Sequence, residues 1–190
     1  IDVLLPFVTA MCNASLIEGH LPMSQRHGIV TPLLKKSSLD PSDVKNYRPV
    51  SNLTFMSKVV ERMVSQQLSD YLQSNSLLPE LQSAYRRNHS TETALLCVIS
   101  DLLMAIDSGL VTLLGLLDLS AAFDTVDHDI LIRRLQSTFG ISGTPLAWVT
   151  SFLGGLTQEV VFQGRRSATS TVTGGVPQGS VLGPLLFLLY

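Results

Sequence analysis

Asp118 stands directly after a largely apolar run that begins at Leu110, and this position gives its carboxylate chemical interest. A run of this length is typical of a strand buried on both faces, so we expect a buried strand that ends at Asp118. A carboxylate there is costly to desolvate unless an arginine, a hydrogen-bond network or a metal ion holds its charge. The alternative is a structural aspartate that caps the next helix.

Three other segments stand in a fixed order around this one. They are Asn-Tyr-Arg-Pro-Val-Ser at 46–51, the segment 82–91 with Tyr-Arg-Arg-Asn-His-Ser at its centre, and Thr-Gly-Gly-Val-Pro-Gln-Gly-Ser at 173–180. In this order and at these distances, the four segments resemble the reverse transcriptase of non-LTR (LINE-type) retrotransposons. The resemblance extends from about residue 5 to residue 190.

The resemblance implies an RNA-directed DNA polymerase that adds dNTPs to the 3′-hydroxyl of a DNA primer on an RNA template. Two Mg²⁺ ions, or Mn²⁺, would serve as the cofactor, and the remaining parts of the retrotransposon polyprotein would be partners. The implied fold is α+β, with the fingers and part of the palm of a right-hand polymerase and without its thumb. Residues 1–110 would form the N-terminal extension and fingers, and residues 111–190 the partial palm.

The same resemblance assigns roles to single residues. Asp118 matches the catalytic aspartate that bridges both metal ions, and the small residues Ser120, Ala121 and Ala122 follow it beside the triphosphate. The positions that match dNTP-binding residues are Lys36 (or Lys35), Arg48, Phe123, Gln178 and Gly179, with Phe123 beneath the sugar. The positions that match template-binding residues are Arg86 and Arg87. The positions expected to shape the turn and cap the next helix, without binding metal, are Asp124, Asp127 and His128.

The remaining metal ligands of this family come from two adjacent aspartates in a later motif, and residues 1–190 do not include that motif. We therefore expect the chain to be a fragment that does not polymerise alone. The alternative is a catalytically dead descendant that serves as an RNA- or protein-binding module. A third hypothesis is a fragment of a decayed transposon copy.

Composition and charge limit the possibilities further. Hydrophobic residues make up 45% of the 190 residues, which permits a packed core and argues against disorder. Residues 20–90 carry nine Lys/Arg against five Asp/Glu, whereas residues 101–135 carry six Asp against two Arg. A basic half suits phosphates and an acidic centre suits cations. Cys12 and Cys97 fit no metal or disulfide pattern, which favours an intracellular protein, and no segment is long enough to span a membrane.

The hydrophobic periodicity predicts a mixture of helices and strands without an internal repeat. The predicted helices cover residues 2–18, 54–72, about 91–108, 127–139 and a segment from 144. The predicted strands cover residues 28–34, 47–53, 158–162 and 168–172, with a turn at 164–167. In the helix over 54–72, we expect Glu61 to lie on the polar face.

Overall fold

The computed structural model describes residues 3–119 and 121–190, which form two compact units. The first unit contains residues 3–71 and 121–190, and the second contains residues 72–119. Helices and a sheet occur together in the first unit, so the predicted α+β class is confirmed. The predicted division into fingers and palm at residue 110 is defined by function rather than by these compact units, and it stays a prediction. Ser120 lies outside the described residues.

The helices and strands follow the predicted order, except that the strand predicted before Asp118 is absent and the last helix was not predicted. The helices are α1 (Leu5–Glu18), α2 (Phe55–Ser74), α3 (Thr91–Asp107), α4 (His128–Ser137), α5 (Gly143–Leu153) and α6 (Gly183–Leu189). The strands are β1 (His27–Leu34), β2 (Tyr47–Asn52), β3 (Thr157–Phe162), β4 (Arg165–Arg166) and β5 (Ser170–Thr171). Within the described part of the chain, no helix is both long and apolar enough to cross a bilayer.

The sheet belongs to the first unit and has the order β2-β1-β3-β4, with β5 also paired to β3. β1 and β2 are antiparallel and form a hairpin-like unit, whereas β1 and β3 are parallel. Pro32 and Pro49 are partners in the β1–β2 register. Neither has an N–H group, so the two prolines fit at a pair that exchanges no hydrogen bonds. Pro32 also explains why the pairing of β1 with β3 ends at Val30.

The sequence at 157–172 forms a hairpin whose returning strand is interrupted. β4 pairs with the end of β3 and β5 pairs with its beginning. The turn between β3 and β4 places Gln163 and Gly164 at positive φ, which glycine tolerates at little cost. The predicted hairpin is therefore confirmed, and the predicted strand over 168–172 is shorter than expected.

Helix α1 is fixed on α5 by a buried hydrogen bond. The Trp148 indole donates to the Ser15 hydroxyl at 3.0 Å, and that hydroxyl donates to the His20 carbonyl at 2.6 Å. The Trp148 ring also stacks on Phe152, with the ring centroids 5.7 Å apart. Gly19 ends α1 in the left-handed conformation, as its sequence position predicts.

Helix α4 begins at a side-chain cap. The Asp127 carboxylate accepts a hydrogen bond from the Ile130 backbone N–H at 2.9 Å. Such a cap satisfies one of the free N–H groups at the start of a helix. Leu131 and Leu135 of the same helix are fully buried, so α4 is held both at its start and along its apolar face. The predicted capping role of Asp127 is confirmed.

The second unit contains α3, whose beginning is capped in both directions. The Ser90 hydroxyl accepts from the Thr93 N–H at 3.2 Å, and the Thr93 hydroxyl accepts from the Ser90 N–H at 2.9 Å. The predicted helix is thus confirmed. Its apolar side chains do not enter a core, because no residue of α3 is buried.

The buried strand predicted before Asp118 is wrong for this structure. Residues 110–119 form no strand, and the side chains of Leu113 and Leu117 are 99% and 98% exposed. A strand is stable only when a neighbour accepts and donates its backbone hydrogen bonds. No strand among the described residues pairs with this segment. The apolar pattern indicates a segment that burial would stabilise, but it does not show whether a neighbouring strand is present to pair with it.

Candidate functional site

The turn before α4 and the first residue of α4 are joined to the glycine-rich segment by three hydrogen bonds. Gly175 N–H donates to the Val126 carbonyl at 2.8 Å, and Val176 N–H donates to the Phe123 carbonyl at 2.8 Å. The His128 ring lies 2.7 Å from the Gly175 carbonyl through Nε2. Because that carbonyl can only accept, Nε2 is the donor in this contact. The structure therefore brings together two motifs that are about fifty residues apart in sequence.

Gly175 makes this close approach possible. Its φ of +78° is unfavourable for other residues, and a Cβ there would lie 3.0 Å from the Asp124 Cα and the Phe123 carbonyl oxygen. A side chain at Gly175 would require these backbone atoms to give by a few tenths of an ångström. The glycine thus allows the close contact between the motifs.

Gln178 lies between the same turn and the sheet. Its side-chain Nε2 is 3.3 and 3.4 Å from the two oxygens of the Asp124 carboxylate. Its backbone carbonyl accepts a hydrogen bond from the Ser51 N–H of β2 at 2.6 Å. The predicted site residue Gln178 is therefore positioned by two other elements, and the Asp124 carboxylate faces its side chain.

Gly179 also lies close against β2. It has a φ of +115°, and a Cβ there would lie only 2.7 Å from the Ser51 carbonyl oxygen. Contacts under 3.0 Å with a backbone atom require the backbone to move. The backbone at Gly179 therefore lies close against the strand β2, and its predicted contact with a nucleotide stays a prediction.

A cavity of about 320 Å³ opens beside Gln178. The strands contribute Val30, Pro49 and Ser51 to its wall, and Asp124 lies at the side of the turn. Its volume is at the lower end for small-molecule pockets. No lysine or arginine lines it among the described residues. The cavity therefore suits an uncharged part of a ligand rather than a phosphate.

The predicted triphosphate residues lie elsewhere on the same sheet. Arg48 alternates with Pro49 along β2, so its side chain lies on the face opposite the cavity. Lys36 follows β1 and is exposed, whereas the Lys35 ammonium donates to the Lys45 carbonyl at 2.8 Å. Arg48 and Lys36 are free to meet a polyanion, since no interaction within the described residues engages either side chain. The structure does not bring them to Gln178.

Phe123 is half-buried against α6. Its ring lies 5.3 Å from the Phe187 ring, measured between centroids, at a tilt of 53°. This contact holds the ring whatever further role the residue has. Its predicted place beneath a nucleotide sugar stays a prediction.

The two predicted template residues differ in the structure. One Arg86 nitrogen donates to the carbonyls of Pro79, Glu80 and Gln82 at 3.1, 3.0 and 3.3 Å, so this side chain closes a loop of the second unit. Arg87 is exposed. Asn88 has a φ of +65°, a conformation that asparagine tolerates better than most residues.

Asp118 is exposed and belongs to the second unit. The described residues contain no group of three or more acidic, histidine or cysteine side chains that could hold a metal ion. Asp127 is engaged as the cap of α4, and Asp124 lies against Gln178. The described residues thus offer one suitable carboxylate at Asp118 and do not by themselves complete a magnesium site.

The sequence prediction missed Glu61, which is fully buried rather than exposed on the polar face of α2. Its carboxylate accepts hydrogen bonds from the Ser57 hydroxyl at 3.1 Å and from the Val181 and Leu182 backbone N–H groups at 2.8 and 3.2 Å. Glu61 follows Ser57 by four residues and Val60 by one. That spacing places it on the buried stripe and was the available signal.

Burial raises the pKa of Glu61, although its hydrogen bonds and the nearby Lys58 oppose the shift. The folded state therefore favours the protonated acid. The free energy of unfolding should fall as the pH rises above about 4.3, the ordinary pKa of a glutamate. The loss is complete above the raised pKa. Glu61→Gln removes this titration. Urea unfolding of both proteins at several pH values measures the effect. We expect the stability of wild type relative to Glu61→Gln to decrease as the pH rises. A pH-independent difference between the two proteins would contradict this.

Comparisons with known proteins identify the same family that the motifs resemble. The family model described as "Reverse transcriptase (RNA-dependent DNA polymerase)" matches residues 34–190. The chain is 32% identical over 184 residues to the "Probable RNA-directed DNA polymerase from transposon X-element" of Drosophila melanogaster, a match that covers 97% of the chain and 20% of that relative. It is 30% identical over 191 residues to the "RNA-directed DNA polymerase from mobile element jockey" of the same species, covering 100% of the chain and 20% of that relative. The chain thus spans about a fifth of the length of these relatives.

Proposed function

Because the chain belongs to the reverse transcriptase family, in the LINE-type group that its motifs resemble, we propose that it forms the fingers and part of the palm of an RNA-directed DNA polymerase. The observation that supports this best is the set of hydrogen bonds that joins the turn before α4 to the segment 174–179. Both segments carry motifs that match those of the family. RNA template, DNA primer and dNTPs are the proposed substrates. The other parts of the polyprotein, within a cell, are the proposed partners.

We assign Asp118 the role of a ligand for the catalytic metal ions. When bound, two Mg²⁺ ions stabilise the attacking and leaving oxygens of phosphoryl transfer. Asp118 is the one carboxylate in the described residues that matches a metal ligand of the family. We therefore propose that the other metal ligands lie outside residues 1–190. This chain alone is then expected not to extend a primer.

The exposed cations have the chemistry that a polyanion requires. Arg48 presents a planar, permanently charged fork, which suits a triphosphate better than a lysine does. Lys36 adds a second exposed charge beyond the end of β1. On the second unit, exposed Arg87 is the better candidate for template contact, because Arg86 is already engaged by three carbonyls.

The proposed role of Phe123 is to exclude a ribose 2′-hydroxyl, and its ring contact with Phe187 gives a matched control. In the longer protein, Phe123→Ala should raise ribonucleotide relative to deoxynucleotide incorporation at least about tenfold, because the added space admits the hydroxyl. Phe187→Ala removes the supporting ring and should change the ratio much less. Single-turnover incorporation of both nucleotide types measures the ratio. Equal ratios for wild type and Phe123→Ala would make Phe123 a packing residue only.

The experiment that tests the proposed function is primer extension on poly-rA with oligo-dT, dTTP and Mg²⁺. The longer protein that contains this chain is expected to extend the primer. Failure of the intact, folded longer protein to do so would favour the alternative of an RNA- or protein-binding module.

A further inference from the structure

Glu61 is the buried acid that the proposed function does not use. Its side chain is 0% exposed, and no ion pair in the described part of the chain includes it. A buried carboxylate is costly unless hydrogen bonds satisfy its oxygens. Here one oxygen accepts from Ser57 and the other accepts from two consecutive backbone N–H groups, those of Val181 and Leu182.

Those two N–H groups lie in the segment that connects Gln178 to α6. On one side of them, Ser180 N–H donates to the Pro177 carbonyl at 3.1 Å and closes a turn around Gln178. On the other side, the Ser180 hydroxyl accepts from the Gly183 N–H at 2.7 Å at the start of α6. The two donors between these contacts need an acceptor, because unpaired buried N–H groups destabilise a fold.

The acceptor comes from a helix that is 120 residues away in sequence. Gln178 is thus held from two directions: β2 binds its backbone carbonyl through Ser51, and α2 binds the residues that follow it through Glu61. Loss of the second attachment would leave the segment after Gln178 held at β2 only, so the side chain of Gln178 would be positioned less firmly beside Asp124.

We propose that Glu61 is a positioning residue for Gln178, and that it acts on nucleotide binding by fixing the backbone of Val181 and Leu182. This inference rests on the proposed function, because it takes Gln178 as a nucleotide contact. What Glu61 contributes is an acceptor oxygen. The charge is dispensable, because an amide oxygen at the same place can accept the same two N–H groups.

Two substitutions separate these contributions. Glu61→Gln keeps an acceptor oxygen and removes the charge, whereas Glu61→Met has a similar volume and keeps neither. In the longer protein, we expect Glu61→Met to raise the KM for dTTP at least about tenfold with a smaller change in kcat, because it disturbs binding at Gln178. Glu61→Gln should stay within about threefold of wild type. Equal KM values for the two variants would overturn the proposal.

Gln178→Ala in the same assay tests the nucleotide role of Gln178 separately from the proposed polymerase function. If wild type polymerises and Gln178→Ala leaves the KM for dTTP unchanged, the nucleotide role of Gln178 is wrong, and with it the role of Glu61 in binding. If wild type does not polymerise at all, the proposed function fails, and the positioning contact is then judged by amide exchange alone.

Amide hydrogen exchange by NMR on the chain of residues 1–190 provides that second measurement. The Val181 and Leu182 amides should exchange at least about tenfold more slowly than the amide of exposed Gly164, in wild type and in Glu61→Gln, since the acceptor is kept in both. This comparison does not depend on whether Glu61→Met folds. Exchange of both amides as fast as that of Gly164 in wild type would overturn the proposal.

Discussion

Replacing Gly179 by alanine is expected to destabilise the first unit by about 3 kcal/mol or more, from backbone strain and overpacking together. The φ of +115° at this residue is rarely adopted with a side chain, and the new Cβ would lie 2.7 Å from the Ser51 carbonyl oxygen. The atom that the Cβ meets is a backbone oxygen, so relief of the strain requires the turn or the strand to move. Such a movement would also disturb the hydrogen bond from Ser51 N–H to the Gln178 carbonyl.

Gly164→Ala is the matched control, because Gly164 also has a positive φ, of +76°, but nothing lies within 4 Å of its Cβ position. It should cost about 1 kcal/mol, the effect of the unfavourable φ alone. Urea unfolding of wild type and both variants, followed by circular dichroism, measures the difference. Equal losses for the two variants would mean that the contact between Gly179 and Ser51 does not constrain the fold.

Local sequence signals were sufficient for the elements that are stabilised by their own residues. The capping of α4 by Asp127 needs only a side chain and an N–H group three residues on. The β1–β2 hairpin needs two extended runs close together in sequence, and Pro49 already biases Arg48 toward extended geometry. These features were predictable because every partner lies nearby along the chain.

The features that were not predictable depend on distant partners. The run before Asp118 has the composition of a buried strand, but no described strand pairs with it, so it is irregular and exposed. Glu61 was assigned to the polar face because the periodic apolar residues of α2 defined the other face. Only the fold reveals that two backbone N–H groups from a far segment meet its carboxylate.

The same reasoning applies to the candidate site. Four motifs in order were sufficient to identify the family, and the closeness of Gln178 to Asp124 follows from how two of them fold together. The face of the sheet that carries Arg48 was not predicted, because it depends on the register of β2. The alternation of side chains along that strand then separates Arg48 from the cavity beside Gln178.

Asp118→Asn in the longer protein is expected to lower the rate of primer extension at least about a thousandfold. Asparagine keeps the shape of the side chain but is neutral, so it holds a divalent cation poorly. The metal ions provide several kcal/mol of stabilisation to the charged transition state, and each 1.36 kcal/mol lost is about tenfold in rate. Asp118 is exposed in this chain, so the substitution should not disturb folding.

Primer extension on poly-rA with oligo-dT, dTTP and Mg²⁺ tests the central claim most directly. The variant is compared with Asp101→Asn, which removes another exposed carboxylate of the second unit, from α3. We predict that wild type and Asp101→Asn extend the primer equally, that Asp118→Asn does not, and that residues 1–190 alone do not. Undiminished extension by Asp118→Asn, or extension by residues 1–190 that Asp118→Asn abolishes, would contradict this account of the site.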